Sequence, residues 1–347
     1  MKILIVGPAW VGDMVMAQTL FKVLRQQYPD CVIDVLAPDW SRPLLERMPE
    51  VRQALAMPLG HGQFQWSVRR ELGRKLKAEN YDQSMALPNS WKSALVPFFA
   101  KIPVRTGWRG EMRYGLLNDV RALDKEKYPL MIERFAALVF EKNEEMPGQL
   151  PYPALEVDST NVSAALNKFS LNQDKPILAL CPGAEFGEAK RWPSEHYAAV
   201  AEQKLKEGWQ VWLFGSSKDR PVTDEIVAAV PEDLRSGCAN LAGDTTLADA
   251  IDLLSCATAA VTNDSGLMHI TAALGRPLVV VYGSSSPQFT PPLSEQVKIL
   301  SLKLSCSPCF KRECPLVHLN CLKQLQPDLA LSALVSLVTL EEKVQVS

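Results

Sequence analysis

Two separate stretches of this chain open in the same way, and that repetition confines it to few architectures. Lys2–Val6 is a short apolar run closed by the turn Gly7–Gly12, and a helical pattern follows over Asp13–Tyr28. Pro176–Cys181 is a second apolar run, closed by Pro182-Gly183-Ala184 and followed by a helical run over Ser194–Glu207. Alternation continues in both halves. The first half adds strands at Val32–Ala37 and Met85–Leu87 and a helix at Ser90–Ala100. The second adds strand Gln210–Phe214, helix Lys218–Val230, strand Ala257–Val261, helix Leu267–Leu274 and strand Leu278–Gly283. Strands alternating with helices through short turns predict parallel sheets with right-handed crossovers. Two such units predict an α/β chain of two Rossmann-like doubly wound domains facing a cleft, with ligands at the carboxyl ends of the strands.

A length of 347 residues suits two domains better than one core. The stretch Glu141–Thr160 is rich in charge and proline and poor in periodicity, which predicts domains at residues 1–155 and 156–347. A final helix is expected over Asp328–Leu340, after Pro327. No apolar run is long enough for a transmembrane helix, and the N-terminal run ends after four residues with Asp13 soon after, unlike a signal peptide. A cytoplasmic protein is therefore expected. The net charge of −2 conceals an asymmetry. Residues 1–150 carry 21 Lys and Arg against 17 Asp and Glu, and the remainder carries 16 against 22. Eleven basic residues lie between residues 61 and 121, against five acidic ones. That excess reads either as a field for an anionic partner (phosphate, carboxylate or an acidic membrane surface) or as a solvated helix face over Arg69–Lys77. Nothing points to nucleic acid.

Three turns carry the candidate chemistry. The first, Gly7–Asp13, lacks the Gly-x-Gly-x-x-Gly pattern of dinucleotide oxidoreductases. Asp13 at a helix start would repel a phosphate, so it reads either as a general base at a strand end or as a helix cap. The second turn holds Gly183, Ala184 and Glu185 and leads to Lys190 and Arg191, just before a helix. Cations are electrostatically misplaced there unless an anion is bound, so they read as phosphate contacts or as surface residues. Asp264, Ser265 and Gly266 open the helix that carries His269, where free N–H groups and the positive dipole end favour phosphate; the alternative is an ordinary cap at Asp264 or Ser265. Gly215-Ser216-Ser217 is a further small-residue turn at the same sheet edge. No Asp-x-Asp occurs, so a metal-held diphosphate is not indicated and no cofactor is expected for catalysis. Cys306, Cys309, Cys314 and Cys321 are spaced C-x2-C-x4-C-x6-C, which reads as a structural zinc site or as a set of reduced, redox-labile thiols, without a catalytic role. The histidines His61, His196, His269 and His318 form no ligand set by spacing.

Long segments resemble the bacterial lipopolysaccharide heptosyltransferases. They are Gly-Pro-Ala-Trp-Val-Gly-Asp-Met from Gly7, Pro-Gly-Ala-Glu-Phe-Gly-Glu-Ala-Lys-Arg-Trp-Pro from Pro182, and Thr-Asn-Asp-Ser-Gly-Leu-Met-His from Thr262. Leu87–Ala100 and Arg105–Asp119 are similar to the type II branch. The resemblance implies a GT-B inverting glycosyltransferase that moves L-glycero-D-manno-heptose from ADP-heptose to the first heptose of the Kdo–lipid A inner core. It implies Asp13 as base, Lys190 on the diphosphate, and Asp264, Ser265, Gly266 and His269 on the nucleotide. The Glu of type I relatives falls at about Ser217. Arg69, Arg70, Arg105, Arg109 and Arg113 are candidates for the anionic acceptor, with peripheral contact at the cytoplasmic face of the inner membrane. Rival readings are transfer to Kdo as in type I, a nucleotide-sugar epimerase on the same fold, and a non-catalytic sugar- or nucleotide-binding module. The oligomeric state is left open.

Overall fold

The computed structural model describes residues 1–60, 63–142 and 144–345, with side chains to Thr339. His61 lies outside the described residues. The chain divides into two compact units, Met1–Glu156 and Val157–Ser347.

The first unit runs β1 (Lys2–Val6), α1 (Val11–Gln27), β2 (Val32–Pro38), α2 (Arg42–Leu45), β3 (Val51–Met57), α3 (Trp66–Leu76), β4 (Gln83–Ala86), α4 (Leu95–Phe99), β5 (Val104–Trp108), β6 (Asp119–Arg121) and α5 (Met131–Ala136). Its strands form one parallel sheet in the order β3-β2-β1-β4-β5-β6. Consecutive residues Ile3, Leu4 and Ile5 have no exposed surface. Neighbouring strand residues point to opposite faces, so β1 is covered on both, and this is why it reads as an unbroken apolar run. The helix expected over Ser90–Ala100 is instead a 3-10 turn, Trp91–Ala94, leading into α4. Pro97 has no N–H to give to Ser93, so the α-helical ladder begins only where proline falls in its first turn. The proline-rich stretch after Leu150 is strapped to α1. Gln18 donates to the Ala154 carbonyl at 2.8 Å and accepts the Ala154 N–H at 2.9 Å, while the Thr19 hydroxyl donates to the Pro151 carbonyl at 3.0 Å.

The second unit runs α6 (Ser159–Lys168), β7 (Ile177–Cys181), α7 (Ser194–Lys206), β8 (Gln210–Leu213), α8 (Arg220–Ala229), β9 (Cys238–Asn240), α9 (Leu247–Leu254), β10 (Ala259–Asn263), α10 (Gly266–Ala273), β11 (Leu278–Val281), β12 (Val297–Leu300), α11 (Asn320–Lys323) and α12 (Pro327–Gln345). Its parallel sheet has the order β12-β11-β10-β7-β8-β9. Numbered from its own first strand, this is the strand order of the first sheet. The core joins β7 and β10 to Trp192, Tyr197 and Val200 on one side and to Leu334 and Leu337 of α12. In both sheets the winding reverses between the unit's first and fourth strands, β1 with β4 and β7 with β10. That reversal leaves a crevice at the carboxyl strand ends, where ligands of such sheets bind. These two folds place the turns named above at the reversal points: Asp13 follows β1, the Lys190 loop follows β7, and Asp264 follows β10.

Candidate active site

The turns that follow β7 and β10 are organised by Asn263, whose place in the sequence, within a run of small polar residues, gives no sign of it. Its side chain is fully buried. The Asn263 carboxamide oxygen accepts the Trp192 N–H at 3.0 Å and the Tyr197 hydroxyl at 3.0 Å, and its NH2 donates to the Pro182 carbonyl at 2.6 Å. One side chain thus ties the end of β10 to both ends of the loop that carries Lys190. That loop delivers the Lys190 ammonium to the Asp264 carboxylate at 2.5 Å. The Asp264 side chain is 5% exposed and that of Lys190 18%, so the pair is largely shielded from solvent. Ser265 is the helix cap of α10 and its hydroxyl accepts the Met268 N–H at 3.4 Å. Of the two caps considered, Ser265 fills the role and Asp264 is left to hold the lysine. Gly266 is the first residue of α10 and His269 is buried in its first turn.

Other donor-side candidates scatter more. Glu185 forms an exposed ion pair with Lys218 at 2.7 Å. Gly183 and Gly215 both lie against Asp219, and a Cβ at Gly183 would stand 2.7 Å from its carboxyl carbon. The Asp219 carboxylate accepts the Ser216 N–H at 2.9 Å, which closes the turn holding the exposed Ser217. Ala184 is buried, and Arg191 is half-buried with its Nε left without a hydrogen-bond partner.

In the first unit Asp13 is the third residue of α1, and Trp10 occupies the cap position. The helix-cap alternative for Asp13 is thereby corrected: the helix starts two residues earlier than its apolar pattern suggests. The five arginines proposed for an anionic acceptor divide. Arg69 is 6% and Arg113 2% exposed. Arg69 donates to the carbonyls of Phe64 at 2.8 Å, Gln63 at 3.2 Å and Lys92 at 3.3 Å. Arg113 donates to the carbonyls of Pro88 at 2.7 Å and Trp108. Arg105, half-buried, donates to the carbonyls of Leu116 and Ile102, both at 2.6 Å. Burial lowers the pKa of all three. Their guanidinium groups are engaged by main-chain carbonyls, whereas Arg70 and Arg109 are exposed.

With this geometry in place, comparison with known proteins is decisive. Residues 69–320 match the model of glycosyltransferase family 9 (heptosyltransferase). The chain belongs to glycosyltransferase family 9. It is 51% identical over 347 residues to lipopolysaccharide heptosyltransferase 2 of Escherichia coli strain K12, covering 99% of this chain and 100% of that one. It is 54% identical over 311 residues to lipooligosaccharide heptosyltransferase 2 of Haemophilus influenzae, covering 87% and 89%. A solved structure of the E. coli ADP-heptose lipopolysaccharide heptosyltransferase II superposes with a TM-score of 0.88 at 50% identity, over 99% of this chain and 100% of that one. The two Rossmann-like units expected from the strand–turn–helix halves, and the GT-B architecture that the resemblance implies, are those of these enzymes.

In this glycosyltransferase the cysteine-bearing segment packs against the Lys190 loop. The Ala189 N–H donates to the Arg312 carbonyl at 3.1 Å. Gly187 has φ +153°, and a Cβ there would stand 2.4 Å from the same carbonyl oxygen, so the two loops approach as closely as glycine allows. The Arg312 guanidinium lies 5.4 Å from the centre of the Phe186 ring, and the Lys190 ammonium lies 5.1 Å from it. Cys306, Cys309, Cys314 and Cys321 line one cavity of about 20 Å³ with Ser284 and His318. Yet among the described residues no group of three or more His, Cys, Asp or Glu side chains converges so as to hold a metal ion. Main-chain N–H groups of residues 316–319 lower the pKa of Cys314. The structural zinc reading is thus without support, and the four residues are free cysteines.

His269 has its pKa lowered to about 4, chiefly by burial; the Asp264 carboxylate raises it and the Lys190 ammonium lowers it further. It is therefore neutral at pH 7, a hydrogen-bonding imidazole and not a cation. A depressed histidine pKa makes its stabilising effect full above the unfolded value of about 6.5 and lost as pH falls toward 4. Denaturant midpoints measured from pH 7 to pH 4 should fall more steeply for the wild type than for His269→Gln. The difference should reach up to about 3 kcal/mol. Parallel pH profiles would exclude a buried neutral His269.

Proposed function

We propose that this glycosyltransferase transfers L-glycero-D-manno-heptose from ADP-heptose to the first heptose of the lipopolysaccharide inner core. The observation that carries the reading is the shielded Lys190–Asp264 pair at the N-terminus of α10, in a chain about half identical along its whole length to enzymes of that name. The second unit is assigned the ADP-sugar and the first the acceptor. Asp13 takes the proton from the acceptor hydroxyl. The freed oxygen attacks C1 of the heptose as the C1–O bond to ADP breaks, with inversion at that carbon. Charge growing on the departing diphosphate is met by Lys190, by the free N–H groups opening α10 and by Arg312, whose guanidinium meets no carboxylate among the described residues. Asp264 holds Lys190 extended, and Ser265, Gly266 and His269 complete the nucleotide side. Arg70 and Arg109 are assigned to the anionic inner core. The reaction is placed at the cytoplasmic face of the inner membrane, where the enzyme makes peripheral contact; no helix among the described residues is long and apolar enough to cross a membrane.

The test is mass spectrometry of a mixture of enzyme, ADP-heptose and mono-heptosylated Kdo–lipid A, with and without EDTA. One added heptose in both samples is the expected product. Transfer only to Kdo–lipid A lacking heptose would move the reading to the type I reaction, and isomerised ADP-sugar without transfer would move it to an epimerase.

A further inference from the structure

One aromatic surface of the first unit, apart from Arg70 at its edge, has no part in the chemistry above and is unusual for a protein exposed to water. Phe64, Trp66, Trp91 and Phe98 are 39%, 47%, 36% and 40% exposed. They form a connected group. Phe64 and Trp91 have ring centres 4.9 Å apart, Phe64 and Trp66 6.1 Å, Trp66 and Phe99 5.1 Å, and Phe98 and Phe99 5.5 Å. A contiguous exposed apolar patch marks an interaction surface, whereas isolated exposed aromatics need no explanation.

The patch is built, not frayed. The buried Arg69 guanidinium ties the main chain at Gln63 and Phe64 to that at Lys92, which sets the Phe64 and Trp91 rings side by side. Beneath Trp66, α3 packs on α4 so closely that a Cβ at Gly73 would stand 2.5 Å from the Phe99 Cβ and 2.8 Å from the Val96 carbonyl. The cation most buried here thus spends its donors on presenting aromatic rings outward.

The fringe of the patch is basic. Trp66, Arg70, Arg74 and Lys77 follow one another at spacings of four, four and three, which places them on one side of the helix and its continuation. Lys92 adjoins Trp91, and Lys101 follows the turn that closes α4. Arg70, Arg74, Lys77, Lys92 and Lys101 have no ion-pair partner among the described residues. The acidic groups nearby are Glu71, paired with Lys75 at 2.9 Å, and Glu111, which accepts the Trp91 N–H at 2.9 Å. Tryptophan and phenylalanine with a lysine and arginine fringe match the two zones of an anionic bilayer surface, acyl boundary and phosphate headgroups.

We infer that the Phe64–Trp66–Trp91–Phe98 face seats the enzyme on an anionic phospholipid surface. This deepens the proposed function, since it gives a route to an acceptor held in a membrane, but its test needs no substrate and so fails or succeeds apart from that reading. Flotation with phosphatidylcholine vesicles, with and without phosphatidylglycerol, is the experiment. The wild type should float with the anionic vesicles alone and be released by salt. Trp66→Ser with Trp91→Ser should weaken binding at least tenfold and leave its salt dependence. Arg74→Glu with Lys77→Glu, at exposed positions where misfolding is not expected, should weaken binding as much and flatten the salt dependence. Both variants should keep wild-type turnover on a lipid-free acceptor oligosaccharide. Unchanged flotation of the charge-reversed variant overturns the proposal. So does a concentration-dependent dimer that either variant abolishes, which would give the face to a second copy of the chain. A raised KM for the lipid-free acceptor would give it to the acceptor, and also overturns it.

Discussion

Asp13→Asn should lower kcat by about a thousandfold while ADP affinity stays within about twofold. A positioned general base contributes roughly 10²–10⁴ to rate, and an amide of the same shape cannot take up the acceptor proton. Asp13 belongs to the first unit, whereas every group assigned to ADP belongs to the second, so the donor should bind as before. The substitution also removes a negative charge from the first turn of α1, where the helix dipole favours it. The dipole interaction lost is worth up to about 2 kcal/mol at a partly buried site, too little to unfold a domain of ordinary stability. Titration calorimetry with ADP, beside product formation by mass spectrometry, separates the two effects. Turnover retained, or ADP affinity lost together with it, would falsify the assignment of Asp13 as base.

Lys190→Ala should act on catalysis and on stability at once. Removing one preorganised donor from a developing charge costs roughly 10²–10³ in rate, and the loss should appear in kcat/KM for ADP-heptose with the acceptor KM unchanged. The same change leaves the Asp264 carboxylate, 5% exposed, without its cation. An uncompensated buried charge costs roughly 3–5 kcal/mol. Adding Asp264→Asn to Lys190→Ala removes that charge, so the double variant should be more stable than Lys190→Ala alone and just as slow. Urea midpoints of the two variants decide it. Equal stabilities would mean that Asp264 finds water or another donor when the lysine is gone, and that the pair is not the sealed unit its geometry describes.

What could be read from the sequence follows the physics of each element. Ile177–Cys181 and Lys2–Val6 are legible because a strand covered on both faces must be apolar throughout. The short strands β6, Asp-Val-Arg, and β9, Cys-Ala-Asn, lie at sheet edges where half-exposure leaves no periodic signal, and they went unseen. Turns rich in small residues located the Lys190 and Asp264 segments. Charge type, however, cannot distinguish an arginine that faces solvent from one that caps carbonyls. Arg70 and Arg69 are neighbours in the chain, one exposed and one buried, and only the packing of α3 on α4 separates them. Asn263 was hidden for a similar reason: its importance lies in three partners from distant points of the chain, Pro182, Trp192 and Tyr197. The contact of Arg312 with Phe186 bridges more than a hundred residues and leaves no local trace.

Each sheet draws all six of its strands from one unit, and neither borrows a strand across Glu156. During synthesis the ribosome therefore releases a first set of strands that can close on itself before the second set exists. Chains grow at roughly 5–20 residues per second, so the earlier sheet has on the order of ten seconds or more alone. The basic segment and the aromatic face belong to that earlier half. A nascent chain could thus be drawn to an anionic surface while the part assigned to the sugar donor is still being made.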